Sequence, residues 1–223
     1  MPHKRTGRVR ILRMDARARD FRRFDEADDS EFYSFPRRVV HIDDGAIDAL
    51  TRLYAALLPA GGRVLDLMSS WRSHLPAGFG GTVIGLGLNA VEMAENPQLA
   101  AAVVHDLNRE PRLPFGDATF DAVVCAVSVQ YLTKPLEVFR DVCRVLRPGA
   151  PFVVSFSNRC FPDKAVALWR LTDDQEHAEA VAAYFSGSAE GGRVWAAMES
   201  FEHTPRQGDP LYAIWARRLA SPP

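Results

Sequence analysis

Cysteine is scarce in this sequence, and the few cysteines follow no metal-binding or disulfide pattern. Cys125, Cys143 and Cys160 lie 18 and 17 residues apart, whereas zinc sites use CxxC pairs and small disulfide-stabilised domains use many cysteines. The sequence also lacks HxxxH pairs, other Cys/His clusters and the GxSxG nucleophile motif. We therefore expect buried thiols and no metal site, and no motif of the sequence indicates a hydrolase.

Long hydrophobic runs are lacking as well. The longest nearly apolar stretch, 122–132, is interrupted by Ser128 and Gln130 and is much shorter than the roughly 20 residues that span a bilayer. No apolar run follows the basic start, so a secretory signal is not expected. These absences predict a cytoplasmic protein without a membrane partner.

Neither sign of charge is in excess. The chain has 27 Lys and Arg against 28 Asp and Glu, a net charge of −1, so a nucleic acid partner is not expected. The basic residues concentrate at the start: 1–23 hold nine Lys or Arg, and 24–31 hold five acids. We interpret 1–42 as a basic N-terminal arm with a lid segment and 43–223 as the main domain, and the oligomeric state stays open.

The hydrophobic pattern predicts an α/β fold. Its 223 residues, 47% of them hydrophobic, suffice for one ordinary domain. Short apolar runs alternate with helical stretches, and runs that are apolar on nearly every residue are typical of parallel strands buried on both faces. The predicted strands are 63–68, 82–88, 101–107, 121–128 and 151–157.

Helical periodicity and turn residues complete the prediction. Several segments repeat apolar residues at helical spacing. Two long runs near the end flank a turn segment with two prolines, which indicates an antiparallel hairpin. The predicted helices are 44–58, 135–146, 164–171 and 177–185, and the hairpin arms are 193–204 and 211–219.

Polar residues follow the ends of the predicted strands. Asp66 ends the first strand and is followed by Ser69 and Ser70, and Asp106 ends the third. In an open parallel sheet, ligands bind beyond the carboxyl ends of the strands. The sequence therefore predicts a binding site at that edge of the sheet.

Three sequence blocks carry a resemblance to a known family. The blocks LPF (113–115), FDAVVCAVSVQYL (120–132) and VFRDVCRVLRPG (138–149) occur together. Over 62–160 the chain resembles the class I S-adenosylmethionine-dependent methyltransferases, in particular the type 11 small-molecule branch. The resemblance implies a Rossmann-like three-layer αβα sandwich with a mostly parallel seven-stranded sheet and a C-terminal antiparallel hairpin. It also implies S-adenosylmethionine as cofactor and a small-molecule substrate.

The resemblance also implies cofactor-binding roles for four residues. Asp66 matches the acid near the methionine amine, and Asp106 matches the acid that accepts from the adenine amino group. The backbone amide of Leu107 then reaches the adenine ring, and Ala126 borders the methionyl group. The alternative for both acids is that they only cap the loops after their strands.

The loop after the first strand departs from the family pattern. The family has a glycine-rich loop there, whereas this chain carries DLMSSW (66–71) and holds Met68, Ser70 and Arg72 at the glycine positions. Glycine adopts positive φ freely and other residues do not, so the loop is expected to follow a different path. The hydroxyls of Ser69 and Ser70 are candidates for binding the methionyl carboxylate.

A second departure concerns the ribose hydroxyls and leaves a rival interpretation open. The family's ribose-binding acid aligns with Gly87, and we expect Asn89 to replace it, with Glu92 as a second candidate. The segment 85–90, GLGLNA, also fits G-x-G-x-x-A, and Asp106 follows Gly87 by 19 residues. That pattern is typical of an NAD(P)-dependent oxidoreductase. A catalytically silent binding module with the same fold is the third alternative.

The substrate side is expected to combine the lid segment with the loops after the fourth and fifth strands. A general base is needed only for an acceptor that arrives protonated. An ordinary surface segment is the alternative interpretation for 32–43. Candidate bases are Tyr33, His41 and Tyr131, candidate substrate contacts are Arg37, Asn158 and Arg159, and further residues at the mouth are Trp71, Arg72 and His74.

Overall fold

One mixed sheet organises the chain. Within residues 18–189 and 194–220, which the computed structural model describes, seven strands lie in the order β3-β2-β1-β4-β5-β7-β6. Strands β1 to β5 are parallel, whereas β7 pairs antiparallel with β5 and β6 with β7. The strands are β1 Arg63–Leu67, β2 Thr82–Gly87, β3 Ala101–Val104, β4 Ala122–Ala126, β5 Pro151–Phe156, β6 Glu199–His203 and β7 Leu211–Arg217.

This topology confirms the expected mostly parallel sheet with a C-terminal antiparallel hairpin. Several strand boundaries differ from the prediction: β3 ends at Val104 and β6 begins only at Glu199. Successive strands run outward from β1 in one direction to β3, and the order reverses at β4. The chain connections therefore diverge beyond the carboxyl ends of β1 and β4, which opens a crevice there.

Helices cover both faces of the sheet. Asp43 caps α2 by accepting from the Ala46 N–H, and α2 buries Leu50 and Tyr54 against one face. On the other face, α4 and α6 pack Phe139 and other apolar residues against the sheet. No helix among the described residues is long and apolar enough to cross a membrane. The helices are α1 Asp29–Phe32, α2 Asp44–Leu57, α3 Ala90–Ala94, α4 Pro135–Val145, α5 Ala167–Leu171 and α6 Asp174–Gly187.

The expectation that helical stretches separate all the strands is wrong at two connections. Residues 68–81 and 105–121 form turns and bends without a helix. In the first connection, Leu75 and Phe79 pack against the α2 side of the sheet and take the place of a helix face. The Gln98 side chain bonds both the N–H and the carbonyl of Leu75, which satisfies backbone groups that a helix would have paired internally.

The loop after β1 crosses the end of β2, and glycine makes this path possible. The Ser69 N–H donates to the Leu86 carbonyl over 2.8 Å. A Cβ on Gly87 would lie 2.2 Å from the Ser69 carbonyl oxygen. Gly85 and Gly87 both lie inside β2, not in a turn that leads from a strand into a helix. Close packing of the loop thus explains these glycines and weighs against the dinucleotide fingerprint.

We predict that Gly87→Ala lowers the free energy of unfolding by about 1–3 kcal/mol, because the Ser69 backbone must shift. Gly80→Ala is the matched control, since a Cβ there would meet nothing within 4 Å. The control should change stability by about 0.5 kcal/mol or less. Urea denaturation of both variants measures the difference, and equal stabilities would contradict the crossing.

Candidate functional site

Most of the predicted site residues gather around one cavity at the carboxyl edge of the sheet. This cavity of about 130 Å³ lies beyond β1, β2 and β4 and is roofed by the segment before α2. Within the described residues, no group of three His, Cys, Asp or Glu side chains could hold a metal ion. The predicted residues that line the cavity are Tyr33, Arg37, His41, Asp66, Ser69, Ser70, Trp71, Arg72, His74, Asn89, Glu92, Asp106, Leu107, Ala126 and Tyr131.

Asp66 is a buried carboxyl group without a cationic partner among the described residues. Only 2% of the residue is exposed. Its Oδ2 accepts from the hydroxyls of Ser69 and Ser73, each over 2.6 Å. Burial raises the pKa of Asp66 to about 6, although the two hydroxyl donors oppose the rise. A carboxylate in this position is costly for the unliganded protein and suited to receive a cationic group.

Asp106 and Leu107 leave polar groups available to a ligand. One oxygen of Asp106 accepts from the N–H groups of Asn108 and Arg109, as expected of a loop cap. Its other oxygen makes no hydrogen bond with the described residues, nor does the N–H of Leu107. Both residues line the cavity. The pair therefore presents one acceptor and one donor, which is the pattern that an adenine edge requires.

Left-handed backbone conformations occur around the cavity. Met68, His74 and Val127 have φ of 59°, 56° and 48°, values that cost energy for residues other than glycine. Met68 was expected at a glycine position on the basis of the family resemblance, and it adopts the conformation that glycine favours. Val127 follows Ala126 at the end of β4, so the strained turn directs the backbone after β4 along the cavity.

Ser69, Ser70 and Asn89 line the cavity and also bond to other parts of the protein. The Ser69 hydroxyl donates to Asp66, and the Ser70 hydroxyl donates to Glu92. Asn89 caps α3 through its Oδ1 and donates through its Nδ2 to the Tyr33 carbonyl. The serine hydroxyls and the Asn89 amide are thus committed within the protein. They hold the loop and the lid segment together, and their ligand contacts stay predictions.

Asn158 and Arg159 do not join the cavity, contrary to expectation. Both are exposed and neither lines it. Arg159 pairs with Asp209 over 2.9 Å. The loop after β5 carries these two residues past the rim and then turns back, so that Phe161 and Lys164 reach the cavity instead.

The three candidate bases differ in their ionisation. Burial raises the pKa of the Tyr33 and Tyr131 hydroxyls, so both stay protonated at neutral pH and are poor bases. Burial lowers the pKa of His41 against the opposing effect of Glu92. Burial also lowers the pKa of His74 to about 4, with Arg72 and His41 contributing. His41 is therefore neutral near pH 7 and can accept a proton.

A buried ion network that the sequence analysis missed joins residues 23–29, which precede the lid segment, to the loop after β5. Lys164 is fully buried, and its ammonium lies 2.9 Å from Asp25 and 3.1 Å from Asp29. Asp29 also pairs with Arg23 over 2.6 Å and accepts from the Asn108 amide. Each residue resembles an ordinary surface charge in the sequence. Only the crowding of acids at 24–31 hinted that this segment needs cationic partners.

Comparison with known proteins places the chain beside methyltransferases. Residues 71–154 match the type 11 methyltransferase domain family. A ubiquinone/menaquinone biosynthesis C-methyltransferase UbiE of Roseobacter denitrificans is 31% identical over 105 residues, which are 43% of this chain and 42% of that protein. A malonyl-[acyl-carrier protein] O-methyltransferase of a Marinomonas species is 33% identical over 66 residues, 30% of this chain and 24% of that protein. The chain thus spans less than half the length of these relatives.

Solved structures share the fold at low identity. A SAM-dependent methyltransferase from Methanosarcina mazei superposes with a TM-score of 0.51 at 16% identity, covering 75% of this chain and 97% of that chain. The [4+2]-cyclase SpnF superposes with a TM-score of 0.55 at 17% identity, covering 86% and 92%. Since a cyclase is among these structures, the fold alone does not determine the reaction.

We predict that Lys164→Met destabilises the protein by about 3–5 kcal/mol, because it leaves Asp29 buried with one cationic partner fewer. Lys134→Met is the matched control, since the one hydrogen bond of the Lys134 ammonium within the described residues is to the Arg109 carbonyl at 3.4 Å. The control should change the free energy of unfolding by about 0.5 kcal/mol or less. Chemical denaturation at neutral pH measures both, and a tolerated Lys164→Met would show that the network contributes nothing.

The raised pKa of Asp66 predicts a pH-dependent cost of folding. The folded protein binds this proton more tightly than the unfolded chain, so the free energy of unfolding falls as pH rises from 3.8, the ordinary pKa of an aspartate, to about 6, the pKa of Asp66 in the folded protein. The difference amounts to about 3 kcal/mol. Asp66→Asn, which never ionises, should therefore gain on the wild type by up to that amount between acid and neutral pH.

Denaturation of the two proteins at a series of pH values measures this gain. Asp48→Asn is the control, because Asp48 is exposed on α2. An Asp66→Asn variant that is less stable than the wild type by the same amount at all pH values would contradict the prediction and assign Asp66 a structural role.

Proposed function

We propose that this chain, which carries a methyltransferase domain with the class I fold, transfers a methyl group from S-adenosylmethionine to a small molecule. One observation carries the proposal: Asp66 near the end of β1 and Asp106 after β3 line the same cavity, which lies where the strand order reverses. The names of the matched C- and O-methyltransferases support an organic acceptor group.

The residues at the cavity fit this cofactor in two places. The buried carboxylate of Asp66 suits the amino group, and the open oxygen of Asp106 with the N–H of Leu107 suits the adenine. Between them, the backbone of Ala126 borders the cavity at the end of β4. When bound, S-adenosylmethionine supplies a methyl carbon that its sulfonium has already activated. The protein therefore has chiefly to align the acceptor and exclude water.

The lid segment supplies the exclusion of water. The Arg37 N–H donates to Glu92 over 2.6 Å, and the Tyr33 carbonyl accepts from Asn89. The Trp71 indole N–H donates to the Val39 carbonyl on the opposite side of the opening. These bonds hold the segment before α2 across the mouth of the cavity, with Tyr33 and His41 facing inward.

His41 is the base that we propose for an acceptor that arrives protonated. Its imidazole lines the cavity and packs edge-on against Phe161, with ring centroids 4.7 Å apart. Neither ring nitrogen makes a hydrogen bond with the described residues, so one is available to receive the acceptor's proton. Tyr33 and Tyr131 retain their protons, so neither can take up the acceptor's proton.

Two other functions are compatible with parts of this site. The first is that of a dinucleotide-binding oxidoreductase, although the close packing of the loop after β1 already accounts for the glycines of β2. A protein that keeps the fold without methyl transfer is the second, and the structural likeness to a [4+2]-cyclase favours including it. Ligand binding separates these possibilities before any substrate is known.

We predict that S-adenosylmethionine and S-adenosylhomocysteine raise the melting temperature, whereas NAD and NADP do not. Asp106→Ala should weaken the binding of both sulfur ligands about 10- to 100-fold by calorimetry, since it removes a hydrogen bond to the ligand. Asp48→Ala, an exposed position on α2, should leave the affinity unchanged.

Stabilisation by NAD or NADP alone would reject the methyltransferase proposal. Binding of the sulfur ligands without release of S-adenosylhomocysteine in a broad acceptor screen would favour the fold without methyl transfer. Unchanged affinity in Asp106→Ala would remove the adenine role from this residue.

A further inference from the structure

The acceptor end of the cavity is built around one aromatic side chain, Phe161. Its ring lies 5.6 Å from that of Phe32, 4.7 Å from that of His41 and 6.2 Å from that of Tyr131, measured between centroids. The N–H of Phe161 also donates to the Tyr131 hydroxyl over 2.8 Å. The rings of Phe161, His41 and Tyr131 line the cavity, with Phe32 behind Phe161, so the walls here are largely aromatic and suit a flat acceptor.

Arg37 projects into this aromatic setting with much of its hydrogen-bonding capacity unused. Its guanidinium carbon lies 3.9 Å above the Phe32 ring and 5.6 Å from the Phe161 ring, and Nη2 donates to the Phe32 carbonyl. No carboxylate among the described residues contacts its guanidinium. The neighbouring Arg38, by contrast, pairs with both oxygens of Glu95. Stacking on Phe32 therefore holds the Arg37 guanidinium in place, and its remaining N–H groups stay available to a ligand.

The two acids nearest Arg37 are already bound within the protein. Asp29 is held by Arg23, Lys164 and Asn108. Glu92 accepts from the Arg37 backbone N–H and the Ser70 hydroxyl, and not from the Arg37 guanidinium. The Lys164 ammonium also lies 5.4 Å from the Phe32 ring. The chain's own cations thus occupy the aromatic faces that could otherwise attract a cationic acceptor. A cation would meet repulsion, whereas an anion would find an open partner in Arg37.

We propose that the acceptor is a planar molecule with an anionic group, a carboxylate or a phosphate, and that Arg37 selects it by pairing with that group. This inference rests on the proposed methyl transfer, since it names the class of molecule that the same cavity takes. Arg37 is thereby a specificity-determining residue, and the hydroxyl of Tyr33, which makes no hydrogen bond with the described residues, supplies a neutral donor beside it.

Four small probes test the proposal in the full chain saturated with S-adenosylhomocysteine. Benzoate and phenyl phosphate carry the two anionic groups, benzamide is the neutral analogue of benzoate, and benzylamine is the cation. Ligand-observed NMR titration gives each dissociation constant. We expect at least one anion to bind about 10- to 100-fold tighter than benzamide and benzylamine, and the stronger of the two anions identifies the group.

Arg37→Gln should abolish this preference, and Arg37→Lys, which keeps the charge, should restore part of it. Arg38→Gln is the matched control, because it removes the adjacent arginine whose partner is Glu95, and it should leave the preference intact. Failure of both anions to bind the wild type, or equal binding of benzamide, overturns the proposal, as does a preference that survives Arg37→Gln.

A separate calorimetric titration with S-adenosylhomocysteine alone distinguishes failure of the acceptor proposal from failure of the proposed function. If the wild type binds this ligand but shows no anion preference, the acceptor proposal fails and the proposed function stands. If it does not bind the ligand, the proposed function fails whatever the probes show. Arg37→Gln should bind the ligand as the wild type does, because the Arg37 side chain lies at the acceptor end.

Discussion

The hydrogen bonds that Asp66 accepts from the loop after β1 are the interaction on which the site depends. Ser73, one of the two serine donors, also accepts from the Asn96 amide, which in turn donates to the Ser70 carbonyl. Ser70 then donates to Glu92, and Glu92 accepts from the Arg37 N–H. One chain of polar contacts therefore connects the carboxyl end of β1 to the lid segment, so the loop, α3 and the lid are positioned together.

Several residues at the proposed ligand site are held in energetically unfavourable states in the unliganded protein. Asp66 is buried without a cation, and Met68 and Val127 adopt left-handed backbone conformations. The packing of the sheet and its two helix layers holds these strained positions in place, because nearby strand residues such as Leu67 and Cys125 are almost completely buried. A site that is poorly satisfied in the unliganded protein can gain most from a ligand that brings the missing partner.

The sequence predicted the sheet and part of the site, but it did not predict where every side chain would lie. The parallel sheet, the hairpin and the position of Asp66 and Asp106 at one edge follow from apolar runs whose ends are visible in the sequence. Asn89 was expected at the ribose, and that role stays a prediction: Asn89 lines the cavity while its side chain caps α3 and donates to the Tyr33 carbonyl. Arg159 was expected at the substrate, but Asp209, which comes much later in the chain, holds it outside.

The sequence by itself determined which segments become strands and helices and which edge of the sheet carries the polar residues. Those features depend on periodicity and on capping residues within a few positions of one another. Only the tertiary structure decided that Lys164 neutralises Asp29, that the loop passes over Gly87, and that the Arg37 guanidinium stands beside Phe161 without a carboxylate among the described residues. Each of these depends on residues far apart in the chain, whose meeting is set by how the loops pack over the sheet.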